Sequence, residues 1–162
     1  MLINDGDTVC IVGGGPGGSA CAMALLSEAR RVGRKIDVVL FEHKKFSEHR
    51  HYNQCIGVLS PPFEDILKNE LGLVLPDHLV LNDMEGYRLH SDLLSLDLIG
   101  EESGRSVSVT RSKFDAFMLE EAQKAGAQVV HDRVTSVEVN HDGVLVYSEG
   151  DNIKCAVVVG AF

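Results

Sequence analysis

Residues 8–22, Thr-Val-Cys-Ile-Val-Gly-Gly-Gly-Pro-Gly-Gly-Ser-Ala-Cys-Ala, constrain this chain more than any other stretch. An apolar strand pattern runs directly into glycines at positions 13, 15 and 18, and a helical pattern follows at once. Each glycine has a physical use in such a turn. Gly13 permits the sharp exit from the strand, and Gly15 keeps a side chain away from an approaching phosphate. Gly18 lets the helix pack closely on the sheet, and Ala22 continues that small-residue contact one turn later. An anion placed here meets backbone N–H groups at a helix N-terminus, where the dipole favours negative charge. The turn Gly13, Gly15, Pro16, Gly17, Gly18 is therefore read as a pyrophosphate cradle.

A second strand is predicted over residues 36–42, after a helix stop at Gly33. It ends on Glu42, which lies somewhat beyond the usual spacing of about 20 residues for a ribose-binding acid. The charged stretch 28–35 accommodates the surplus as an extended helix end and loop. A carboxylate at the end of this strand accepts both ribose hydroxyls and repels a 2′-phosphate. His43, beside it, opens a locally basic run, His43-Lys44-Lys45 to His49-Arg50-His51, suited either to solvation or to contact with a cofactor phosphate or anionic substrate.

The 162 residues make one ordinary domain, and 44% hydrophobic with 24% charged residues is the composition of a packed globular chain. A net charge of −9 argues against a nucleic-acid surface or an anionic membrane as partner. Cys10, Cys21, Cys55 and Cys155 form no Cys-x-x-Cys pair, which points to reduced thiols and a cytoplasmic setting. No apolar run approaches the roughly 18 residues of a membrane span. The histidines at 43, 49 and 51 match no metal-ligand spacing.

Beyond Glu42 the strand–helix alternation breaks. A β-rich insertion is expected over about 52–106, holding a helix at 63–72 with a glycine stop and β candidates at 86–90, 94–98 and 107–110. The last two alternate at period two, as half-exposed antiparallel strands do. A helix is then expected from Ser112, as N-cap, to Lys124, with Gly126 as stop and a short buried strand over 127–130. Segments 134–139, 144–147 and 153–155 read as a β-meander with turns at 140–143 and 149–152. The apolar run 156–160 reads as a strand covered on both faces. A doubly wound sheet continues past such a strand, so the expected fold class is α/β. It is a Rossmann-like parallel sheet with a β-meander, incomplete at its C-terminus and lacking a substrate domain.

This order of elements resembles the flavoprotein monooxygenase/geranylgeranyl reductase superfamily over the whole chain. The likeness is strongest at 8–42, at Arg111-Ser-Lys-Phe-Asp115 leading into a helix, and at Val157-Val-Val-Gly160-Ala161. The resemblance implies a 1–162 FAD-binding domain, with adenine against the strand near Val134 and Arg111 as a contact to FAD. Tyr52-Asn-Gln-Cys55-Ile-Gly57 is similar to the segment those reductases place near the flavin ring, with Ile56 standing where they carry a first glycine. Phe162 stands where the family commonly has an aspartate. The implied activity is reduction of an isoprenoid-type double bond of a small-molecule or lipid-like substrate, with NAD(P)H as a candidate electron donor. Aromatic hydroxylation by an FAD monooxygenase is the second reading. An NAD-dependent dehydrogenase domain and a non-catalytic nucleotide-binding fragment are the rivals, the former disfavoured by the β-meander.

Overall fold

The computed structural model of the protein describes residues 3–46, 55–99 and 105–162. The chain begins with β1 (Thr8–Val12), α1 (Pro16–Arg31) and β2 (Asp37–Phe41). There follow β3 (Val58–Leu59), α2 (Phe63–Leu71), a single 3-10 turn (Asp77–Leu79), β4 (Val80–Met84), β5 (Gly86–His90), β6 (Ser95–Ile99) and β7 (Ser106–Val109). The last elements are α3 (Arg111–Lys124), β8 (Gln128–Val130), β9 (Val134–Asn140), β10 (Gly143–Ser148), β11 (Asn152–Cys155) and β12 (Val157–Gly160). They divide into two compact units, Met1–His51 with Asp115–Phe162, and Tyr52–Phe114.

In the first unit, β12, β1, β2 and β8 form a parallel sheet in that order. The residues of β1 explain its central place. Val9, Cys10 and Ile11 are fully buried, so both faces of the strand are covered. Alternate side chains of a strand point to opposite faces, and Cys10, Val39 and Phe41 join Val144, Val146 and Cys155 of the meander in one buried cluster. The meander, β11-β10-β9, is antiparallel as its turn sequences predicted. Against the opposite face α1 buries Ser19, Ala22, Met23 and Leu26, spaced on one helical stripe. The Arg30 guanidinium donates to the Ala125 carbonyl, tying the end of α1 to the end of α3.

The second unit is antiparallel. Strands β3, β7 and β4 form one sheet, with Val107 and Val109 of β7 buried, and β5 pairs with β6 as a hairpin. Leu67 of α2, Leu75, Leu79 and Phe114 complete its core, and the Phe63 and Phe114 rings meet edge to face at 5.6 Å. Gly72 ends α2 in the left-handed conformation at φ 66°.

Several expectations are corrected. Among the described residues the strand predicted at 156–160 is an edge, paired on one side with β1, and Val157, Val158 and Val159 are only half-buried. The predicted buried strand 127–130 is the opposite edge, β8, whose residues are exposed or half-buried. The helix predicted to start from a Ser112 cap takes in Arg111, because the Phe114 N–H already bonds the Thr110 carbonyl. The hairpin is exposed along both strands: Tyr87, Leu89, Leu96 and Leu98 share one face by register and remain half open. Strands β3 and β4 were not predicted.

Candidate dinucleotide-binding site

The glycine turn divides into residues that the fold itself requires and residues that it does not. Gly13 sits at φ 109°, a conformation side chains rarely adopt, and a Cβ there would lie 2.4 Å from the Ala161 carbonyl oxygen. A Cβ on Gly18 would fall 1.8 Å from the Gly13 oxygen, and one on Gly14 would fall 2.6 Å from the Glu42 Cβ. These three glycines are fixed by internal packing. Gly15 and Gly17 are different: a Cβ at either would meet nothing within 4 Å. Gly15 has φ −65° and ψ −177°, where any residue fits. The fold leaves open space there that it does not need for itself.

That space lies at the N-terminus of α1. The first intrahelical bond runs from the Ser19 N–H to the Gly15 carbonyl, so the N–H groups of Gly17 and Gly18 precede the helical ladder. Pro16, at the first helical position, has no N–H to leave unpaired. The buried Ser19 hydroxyl donates to the Gly14 carbonyl at 3.0 Å, and the Gly13 N–H donates to the Phe41 carbonyl at 2.9 Å. The cradle is thus held in shape by bonds that do not use its open side.

Glu42 follows β2 directly and is 6% exposed. Its Oε2 accepts from the Gly14 N–H and its Oε1 from the Lys44 N–H, both at 2.8 Å. Its own N–H donates to the Val130 carbonyl at 3.0 Å, which fastens the strand end to β8. A carboxylate offers about four lone-pair sites, so two accepted bonds leave capacity for ribose hydroxyls. His43 is more exposed, with its Nδ1 3.6 Å from Glu42 Oε1. Val134, half-buried, opens β9 where the register with β10 shifts at Ser148.

The other predicted residues belong to the second unit. Cys55 is exposed, and its sulfur accepts from the Gly57 N–H at 3.4 Å. Gly57, at φ 74°, exchanges a close backbone contact with β7: the Val109 N–H donates to its carbonyl at 2.8 Å. A Cβ on Gly57 would lie 2.0 Å from the Val109 oxygen and 3.6 Å from the Arg111 nitrogen. The structure therefore brings the Cys55–Gly57 segment beside the first residue of α3. Tyr52, Asn53 and Gln54 of that motif, and His49, Arg50 and His51 of the basic run, lie outside the described residues.

Sequence reasoning gave no role to Gly14 or Ser19. Gly14 is required because the Glu42 side chain packs onto it, a contact between positions 28 apart that no local pattern displays. The signal that was available is the third consecutive glycine, one more than the turn motif needs. Also unforeseen is a cleft of about 320 Å³ between Lys44, Lys45 and Phe46 on one side and α3 on the other, with Val129 and His131.

No family model matches the chain. FixC of Escherichia coli K12 is 30% identical over 161 residues, covering 92% of this chain and 35% of FixC. The chain thus spans about a third of the length of this relative. Among solved structures, a geranylgeranyl bacteriochlorophyll reductase-like protein of Thermoplasma acidophilum superposes with a TM-score of 0.73. It is 23% identical, and the match covers 98% of this chain and 40% of that one. A variant of the halogenase PltM, solved in complex with FAD, gives 0.71 at 19% identity, covering 98% and 34%. Among the described residues no helix is long and apolar enough to cross a membrane. Parallel sheet, glycine turn and antiparallel meander together make this the FAD-binding Rossmann-like fold shared with geranylgeranyl reductase-like and flavin-dependent halogenase structures.

Proposed function

We propose that the chain is the FAD-binding portion of a flavin-dependent oxidoreductase. The observation that carries this reading is the open space at Gly15 and Gly17, set against the crowding at Gly13, Gly14 and Gly18. Glycine where the fold has room for a side chain has no internal purpose, and a close-lying diphosphate supplies one. The N–H groups of Gly17 and Gly18 hold the anion, and Glu42 takes the ribose hydroxyls with its remaining lone pairs. Its negative charge disfavours a 2′-phosphate at this position, which suits FAD. His43 and Val134 are assigned to the adenosine end. Arg111 and Cys55 are assigned to the flavin end, on the strength of the family resemblance and of their neighbouring backbone around Gly57. Arg111 brings a fixed fork of N–H donors for phosphate or flavin acceptors.

Once bound, the flavin supplies hydride or electron transfer. The protein's own residues bind it and orient it. The reaction class we assign is reduction of an isoprenoid-type double bond in a small-molecule or lipid-like substrate, with NAD(P)H as electron donor. Likeness to the Thermoplasma reductase-like protein supports that class. The test is the visible absorption of the purified protein, with the cofactor released by denaturation and identified by chromatography. Stoichiometric FAD is the expected result. A colourless protein that binds NADH and not FAD would overturn the reading in favour of a nicotinamide dehydrogenase domain.

A further inference from the structure

Ser19 places a hydroxyl where the packing of α1 asks for none. It is fully buried on the same stripe as Ala22, Met23 and Leu26, where alanine is the better helix former. Its Oγ reaches back five positions and donates to the Gly14 carbonyl at 3.0 Å. The Gly14 N–H is held as well, by Glu42 Oε2 at 2.8 Å, so the peptide planes on both sides of Gly14 are fixed. Among the described residues the only cis peptide bond is Pro61–Pro62, so the Gly14–Gly15 unit is planar and trans. Its N–H therefore points opposite to its carbonyl. With the carbonyl turned inward onto the buried Ser19 hydroxyl, the Gly15 N–H points away from it, and no acceptor takes that N–H among the described residues.

A peptide plane between two glycines is free to turn over, because neither residue carries a Cβ to oppose the change. Turned over, this unit would present a carbonyl oxygen where it now presents an N–H, and an oxygen repels a diphosphate. We propose, resting on the assignment of the open turn to the cofactor diphosphate, that Ser19 is a positioning residue for the cofactor. Its hydroxyl locks the Gly14–Gly15 peptide with the N–H outward, so that Gly15 joins Gly17 and Gly18 as a donor to the diphosphate. Ser19 is itself fully buried and acts only through this peptide. Without its hydroxyl the inward carbonyl has lost its donor. Turning the plane over relieves that loss and takes one donor away from the anion.

Ser19→Ala is the test, titrated calorimetrically with FAD and with ADP, beside NMR spectra that resolve the glycine amides of both proteins. The expected result is binding at least about tenfold weaker for both ligands, the scale of one lost hydrogen bond to a charged group. In the wild-type chain each ligand should move the Gly15, Gly17 and Gly18 amide signals. In Ser19→Ala the Gly15 response should vanish while Gly17 and Gly18 still respond. Equal affinities in the two proteins would overturn the proposal. So would a weakening in which all three amides lose their response together, the mark of a turn that has only loosened. Should Ser19→Ala fail to fold, the wild-type spectra decide: a Gly15 amide unmoved by saturating ligand, while Gly17 moves, overturns the proposal, and a moved one supports it. A wild-type chain that binds ADP and not FAD would remove the flavin reading, with the same comparison on ADP deciding the role of Ser19. Binding of neither ligand would end both.

Discussion

Replacing Gly15 by valine separates folding from cofactor binding. The backbone at Gly15 (φ −65°, ψ −177°) accepts any residue, and no atom lies within 4 Å of the new Cβ position. The folding cost is then that of a β-branched residue at a helix N-cap, about 1 kcal/mol. For a chain of this size that lowers the melting temperature by about 2–4 °C. The binding cost is far larger, because the side chain fills the space assigned to the diphosphate. With FAD at a hundred times its dissociation constant, the wild-type chain should gain about 2.7 kcal/mol, or roughly 5–11 °C. If the substitution weakens binding about a hundredfold, the same FAD concentration stabilises the variant by about 0.4 kcal/mol, a shift of under roughly 2 °C. Melting followed by circular dichroism, with and without FAD, reads both quantities in one experiment. Equal FAD-induced shifts in the two proteins would refute the assignment of the open space to the cofactor. A variant that fails to fold would refute the statement that the space is empty of protein.

Other substitutions give different signatures. Gly18→Ala places a Cβ 1.8 Å from the Gly13 oxygen, and we expect a loss of at least about 3 kcal/mol in urea unfolding, with or without FAD. Glu42→Ala leaves the buried Gly14 N–H without its acceptor and should cost about 1–3 kcal/mol, whereas Glu42→Gln keeps an acceptor oxygen and most of the stability while weakening FAD. In native protein treated with iodoacetamide near neutral pH, mass spectrometry should find Cys55 alkylated first. Cys10 should react only after unfolding, since burial and the neighbouring Cys155 push its thiol up to about 12. The Asp132 carboxyl is held below its ordinary value by the Ser148 hydroxyl and by the Gly150 and Arg133 N–H groups. Its folded value is depressed, so its contribution is present above the unfolded value and lost as pH falls through the folded one. Asp132→Asn should therefore flatten the acid side of the stability profile, at pH values below the ordinary carboxylate range; an unchanged slope would show that Asp132 is not the group responsible.

The elements legible in the sequence are those whose causes are local. Strand, glycine turn and helix over residues 8–31 are specified by neighbours a few positions apart, and the stops at Gly33 and Gly72 by single left-handed residues. The meander was legible because its turns carry their own residues, Asp142-Gly143 among them. Pairings across the chain were not. Strand β3 has two residues, too short for any periodicity, and exists because β7 lies beside it. An all-valine run such as Val157–Val159 looks the same whether one edge or both are paired, so its half-exposure could not be read. In the site, the motif gave Gly13, Gly15, Gly18 and Glu42, while Gly14 and the cleft around Lys44 and His131 depend on contacts between distant segments.

The wall behind Gly13 is supplied by Ala161, whose N–H also donates to the Val12 carbonyl at 2.8 Å. The two segments that meet there are far apart in sequence. During synthesis the backing emerges some 150 residues after the glycine turn, on the order of 7–30 s at ordinary elongation rates. Until then the nascent turn lacks its rear support, and the flanking apolar strand has no partner on that side. Capture of the nucleotide should therefore wait for that backing, and nascent chains arrested short of residue 157 should emerge unable to bind it.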